Sequence, residues 1–235
     1  GDDELFVYDQ SYAGSTNYTI TASQVADGYG NEVAYSGLAD LTLRTGQGTC
    51  GVTLSSFAAG VFTHVNGGAG ANHVSVLAAP GGPAHIEAGG QSGDRLTIEG
   101  TSTDSATVSS DLTAGGGNVS WASHGISFGG MNGGDRDVEA DGFGDLTYAT
   151  PGAIDEITID SLSLDGENLI SGTSDGAALT TLTYRNIGDF VLNTASSDTT
   201  GANADHVQVN PNGVNIGSDS FRYHGGVLTG NADTL

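Results

Sequence analysis

The chain has no lysine. Its full-time cations are five arginines, at Arg44, Arg95, Arg136, Arg185 and Arg222, against 28 acidic residues, and the formal charge is −23. No basic footprint exists anywhere, which argues against a nucleic-acid backbone as partner and disfavours an anionic membrane surface. Cysteine occurs once, at Cys50, so no intrachain disulfide can form. No apolar run reaches the roughly 18 residues that a bilayer-spanning helix needs. Good helix formers are scarce, and glycine interrupts every window of about 15 residues that could carry a 3.6-residue period. Proline is also sparse, with four residues, and the glycines follow no G-x-y period, which excludes collagen.

What is present is glycine, 39 residues of it, and enough apolar content, 37%, to bury a core in one domain or two small ones. The apolar residues come in short alternating pairs: Leu5/Val7, Leu41/Leu43, Val52/Leu54, Val74/Val76, Leu96/Ile98, Ile157/Ile159, Leu162/Leu164, Phe190/Leu192 and Val207/Val209. Gly, Asn, Asp or Ser flanks nearly all of them, which is strand and turn chemistry.

Two patterns recur. The first is D-x-U-x-U, with U apolar. It starts at Asp3, Asp94, Asp155 and Asp205, begins again at Asp233, and appears with Asn72 or Cys50 in the first place. Positions 50, 72 and 94 are spaced by 22 residues. The second is G-x-x-D-L-T-U, clearest at Gly37 to Leu43 and echoed around Asp145 and Asp189. A strand this short cannot bury its apolar face alone, and stacking it in parallel on an equivalent strand closes a continuous core. The expected fold is therefore all-β, a parallel β-helix (β-solenoid) of roughly seven or eight irregular coils with three short strands per coil. A β-sandwich is the competing architecture. Residues 1–235 read as a single domain, with an insertion or irregular coil at 109–141. Gly1-Asp2-Asp3 and the abrupt Asp233-Thr234-Leu235 read as the ends of a processed product or an excised part of something longer.

The stretch Gly67-Gly68-Ala69-Gly70-Ala71-Asn72-His73-Val74-Ser75 loosely resembles the nonapeptide of calcium-binding β-roll repeats, with Asn72 in place of the aspartate. Residues 33–54 are more similar to the glycine- and aspartate-rich β-solenoid repeats of large bacterial surface or adhesin-like proteins. That resemblance implies an extracellular or cell-surface stalk, adhesin or filament subunit, with identical subunits or neighbouring repeats as partners.

Calcium needs six to eight oxygens. Corner aspartates stacked coil upon coil could supply some of them, and Asp94, Asp135, Asp137, Asp141, Asp155 and Asp205 are the candidates for a structural calcium. The alternative role for the same residues is turn formation and solubility. The histidines show no metal-ligand spacing. Trp121, Tyr148, Tyr184 and Tyr223 are candidates for carbohydrate stacking if they face solvent, and Tyr35, Tyr148, Tyr184 and Tyr223 would form a structural ladder if they face inward. Asp135 and Asp137 beside Arg136 are the best acids for a polysaccharide-cleaving enzyme, the alternative to a structural role. Catalytic residues are otherwise not identifiable, and an enzyme is the less favoured reading.

Overall fold

A computed structural model describes residues 3–77, 79–113, 115–134, 136–162, 166–195, 205–210 and 218–225. Asp135, Leu164 and Asp233 lie outside these residues. Among the described residues there is no α-helix, and the fold is all-β with two large mixed sheets.

The first sheet, A, runs in the order β1 (Glu4–Tyr8), β5 (Asp40–Arg44), β7 (Phe62–Asn66), β9 (Ala84–Glu87), β13 (His124–Gly129), β12 (Gly117–Trp121), β11 (Ser105–Ser110), β15 (Asp145–Ala149), β20 (Ile187–Asn193), β22 (Ser218–His224). The second, B, runs β21 (His206–Asn210), β16 (Asp155–Ser161), β17 (Asn168–Ser174), β19 (Leu182–Arg185), β14 (Val138–Asp141), β10 (Arg95–Glu99), β8 (Asn72–Val76), β6 (Cys50–Leu54), β2 (Thr16–Ile20), β3 (Gln24–Asp27), β4 (Glu32–Ala34), with β18 (Ala177–Ala178) beside β17. From β5 to β10 the chain alternates between the sheets, each strand pairing in parallel with its predecessor on the same sheet. The 22-residue spacing is the register: Cys50 lies opposite Asn72, Gly51 opposite His73, and His73 opposite Arg95.

The strands fall on two faces, not the expected three per coil. The two sequence patterns divide between them: D-L-T-U occupies sheet A at β5, β15 and β20, and D-x-U-x-U occupies sheet B at β6, β8, β10, β16 and β21, with β1 the exception. Among the described residues antiparallel pairing falls in three places, β2–β3–β4, β11–β12–β13 and β16–β17–β19 with β18. In the latter two the chain skips ahead and fills back. β11 enters sheet A beyond the place next to β9, and β12 and β13 return to fill the gap. β16, β17 and β19 repeat the manoeuvre on sheet B. β12 and β13 fall within 109–141, whereas β11 begins before it. The three crossovers from sheet B to sheet A that this creates stack through backbone bonds, Gly144 N to Thr101 O at 3.1 Å and Gly188 N to Phe143 O at 3.0 Å.

Alternation directs one apolar set inward. Leu41, Leu43, Leu54, Ile86, Leu96 and Ile98 are fully buried, each stabilising the fold by about 1.5–3 kcal/mol relative to exposure. Leu162 is exposed and lies just past β16. Corners stack so tightly that a β-carbon at Gly68 would collide with the Gly46 carbonyl oxygen, which is why glycine recurs 22 residues apart.

Candidate functional site

Three regions gather polar or aromatic side chains: the corners leading into sheet B, the outer face of sheet B, and the terminal strands.

The aspartate of D-x-U-x-U has the parity of the two apolar residues after it, so it points inward. Asp94, Asp155 and Asp205 are all buried, and Asp137, which directly precedes Val138 and so lies outside that pattern, is buried as well. Asp94 accepts from the Asn72 amide (2.6 Å) and the Gln91 amide (2.5 Å). Asn72 donates its side-chain amide to the carbonyls of Gly70 (2.6 Å) and Ala88 (2.8 Å). Cys50, buried above them, donates its thiol to Gly48 O at 3.3 Å. Asp137 accepts from the amides of Gly133 (2.8 Å) and Thr181 (3.0 Å). These carboxylates close turns, and backbone amides saturate them. Burial pushes the Asp94 carboxyl above its usual range, against the amide bonds that favour the charged form.

Asp155 differs. Its Oδ2 accepts from Thr150 Oγ1 at 2.6 Å, its amide donates to Asp205 Oδ1 at 3.0 Å, and its Oδ1 has no hydrogen-bond partner. Burial raises its pKa to about 6; the neighbouring hydroxyls of Ser174 and Thr150 oppose the rise, and the charges of Asp205 and Asp175 add to it. Asp141 belongs to the outer face instead, where it accepts from Arg185 Nε and Asn186 Nδ2. Among the described residues no three His, Cys, Asp or Glu side chains converge as a metal-holding group.

The outer face of sheet B assembles what looked scattered in sequence. β10, β14 and β19 lie side by side, and Arg95, Arg136 and Arg185 come together there. Arg136 bonds Glu139 and Glu167, both at 2.8 Å from one nitrogen, and Thr97 donates to Glu139 at 3.0 Å. His73 Nε2 meets Thr97 Oγ1 at 2.8 Å, so the hydroxyl accepts from the ring, and His73 Nδ1 faces Arg95. Burial and Arg95 lower the His73 pKa. Burial alone would raise the Glu139 pKa, but bonds from Arg136 and Thr97 and the charge of Arg95 hold it below the usual carboxylate range. A carboxylate so held cannot serve as the general acid that glycoside cleavage requires. The three strands could bring these residues together only once β14 had been placed beside β10 across 42 residues of sequence, which no local spacing indicates.

Trp121, Tyr148 and Tyr184 are buried in the core, 2%, 0% and 1% exposed, so they present no face to a sugar. Tyr148 donates to Thr180 O at 2.6 Å, Trp121 packs edge-on against Phe143, and Tyr184 stacks on Phe190 at 4.2 Å. No single tyrosine ladder forms: Tyr148 and Tyr223 flank Leu192 in sheet A, and Tyr184 lies in sheet B. The exposed aromatics include Tyr12 and Tyr29 (63%), and Phe6 (47%) and Tyr8 (57%) on the edge strand β1, the last two stacked on each other with Arg44 over Tyr8. The parity of Phe6 and Tyr8, opposite to Leu5 and Val7, was the available signal. Beside β1 opens a groove of about 450 Å³ lined by Glu4, Leu5, Tyr35 and Leu38.

Comparison of the chain with protein-family models, curated proteins and solved structures finds no match.

Proposed function

We propose that this chain is an extracellular structural module, a β-solenoid wound between two sheets that serves as a stalk, adhesin or filament segment and joins identical copies or neighbouring repeats end to end. The observation that carries this reading is that, among the described residues, β1 pairs on one side alone, with β5, and its inward residues Leu5 and Val7 are only partly buried against the core. Such edges offer backbone donors and acceptors together with apolar surface, and that combination supports association by strand addition. The polysaccharide-binding or cleaving alternative is weaker, because Trp121, Tyr148 and Tyr184 are core residues and Asp137 is held by backbone amides.

Structural calcium is part of the proposal at one corner only. The orphaned Oδ1 of Asp155 beside Asp205 suits a cation, whereas Asp94 and Asp137 already have amide donors on both oxygens. Sedimentation velocity of the full chain across a calcium titration tests the reading. Concentration-dependent elongated oligomers, strengthened by calcium, are expected. A single monomeric species at every protein and calcium concentration would overturn it.

A further inference from the structure

Resting on the end-to-end reading above, we infer that two copies of this chain dovetail at their β1 ends about a two-fold axis parallel to the strands. β4 of each copy pairs antiparallel with β1 of the other, with Glu4 opposite Ala34, Leu5 opposite Val33 and Phe6 opposite Glu32.

At this end the two sheets stop unevenly. β1 and β2 form one level of the winding, stacked on the level of β5 and β6. Beyond it sheet B carries β3 and β4, whereas sheet A carries no strand among the described residues. Val25 and Val33 lie opposite each other and continue the inward row of Ile20. Val25 is buried, but Val33 is 41% exposed, an inward residue with no sheet facing it. The step between the sheets is two strands high. A second copy, turned half a revolution about an axis midway between the sheets, sets its own two-strand overhang into that step. Its β4 then faces β3, its β3 faces β4, and the apolar rows run on without a break.

Strand direction and hydrogen bonding agree with this. The chain turns back at each crossing between the sheets, so β2 runs against β1; β3 and β4 each reverse again, and β4 runs against β1. An axis along the strands preserves that relation. On β1, Asp9 N bonds to Arg44 O and Asp3 O accepts from Ala39 N, so the odd-numbered residues turn to β5 and the backbone groups of Glu4, Phe6 and Tyr8 face the outer edge. On β4, Tyr35 N bonds to Ser23 O and Asn31 O accepts from Asp27 N, so those of Glu32 and Ala34 face outward. The stated register sets these groups against each other, and a slip of one residue would not. The groove of about 450 Å³ lined by Glu4, Leu5, Ala34, Tyr35 and Leu38 already places Ala34 level with Glu4, and rotation about the strand direction keeps that level.

Charge is complementary as well. Arg44 is the one arginine with no ion pair among the described residues, and its guanidinium lies 5.4 Å from the centre of the Tyr8 ring. Glu32 of the second copy, opposite Phe6, is the diagonal neighbour of Tyr8 and comes within reach of Arg44. The two-fold makes this pair twice. Glu4 and Glu32, the like charges that meet diagonally, are both exposed and therefore screened.

Two single-cysteine additions test the register, because native Cys50 is buried. Full-length E4C and A34C chains are mixed under mild oxidation. Opposed residues of such an antiparallel pair lie about 5.5 Å apart at Cα, within disulfide reach, so an E4C–A34C heterodimer should dominate over either homodimer. Glu32→Arg should weaken dimerisation about tenfold in sedimentation equilibrium although it lowers the net negative charge. Arg44→Glu added to it should restore most of the loss. Val33→Asp, at an exposed position, should abolish dimerisation with the circular dichroism spectrum unchanged. If the wild type associates but the cysteine homodimers dominate, E32R associates as well as the wild type or better, or V33D dimerises normally, this junction is wrong and the end-to-end reading survives with another contact. If the wild type stays a monomer, both fail.

Discussion

Two corners on the same side of the molecule start from the same sequence position and end as different chemistry. At the Cys50–Asn72–Asp94 corner one carboxylate meets an amide side chain and two backbone amides. At the Asp155–Asp205 corner a buried carboxylate stacks on another buried carboxylate, which accepts from the backbone amide of Asp155. The first corner is satisfied at any pH above the carboxylate range. The second carries buried negative charge that is favourable only when a proton or a cation shares it. The difference lies in one atom type, an asparagine nitrogen, at the stacked position.

Four substitutions break or sharpen that contrast. Gly68→Val has the largest expected effect. The new side chain would meet the Gly46 carbonyl in the coil below, and backbone cannot yield cheaply, so a loss of about 3 kcal/mol or more is expected in urea denaturation. Asn72→Asp turns the first corner into a copy of the second. It removes the donor to Gly70 and Ala88 and sets a carboxylate against Asp94. A loss of about 3 kcal/mol at pH 8 is expected, smaller at pH 4 where one carboxylate is protonated.

Asp155→Asn works in the opposite direction. The wild-type carboxyl has its pKa raised from 3.8 to about 6, so between those values the folded state holds a proton that the unfolded state has lost. Stability from this group is therefore full below about pH 4 and declines as pH rises through 6, by up to about 3 kcal/mol. The substitution should raise stability at pH 8 and flatten the pH 4–6 slope, measured as the denaturation midpoint at each pH. Glu139 supplies an internal control of opposite sign: its lowered pKa adds stability above the carboxylate range that is lost on acidification. Cys50→Ser should have the smallest effect, about 1 kcal/mol or less, because the hydroxyl can replace the thiol as donor to Gly48.

Much of the first half of the molecule was legible. Positions 50, 72 and 94 announce their own stacking, since a fixed spacing between identical short strands is a register. Parity was legible as well, and applied to Asp94, Asp155 and Asp205 it separates them from Asp40, Asp145 and Asp189, which precede their first apolar residue directly and face out. The skip-and-return strands were not legible. β12 has the same alternation as its neighbours, and nothing in Asn118 to Trp121 says that it runs against the rest. Trp121, Tyr148 and Tyr184 as carbohydrate contacts failed for a related reason. Alternation specifies that two faces exist, and only the partner sheet specifies which one is dry.

By itself the order of amino acids determined an all-β chain of short alternating strands, glycine corners at a 22-residue interval, and the inward aspartates, because each follows from side-chain parity and close backbone approach within a few residues. The tertiary structure alone decided the two faces, the reversed strands that fill each gap, the gathering of Arg95, Arg136 and Arg185 on one face, and the meeting of Asp155 with Asp205. Those depend on which strands become neighbours across 40 to 50 residues, and that is settled by the sum of many weak packing and pairing contacts, with no single local signal to mark it.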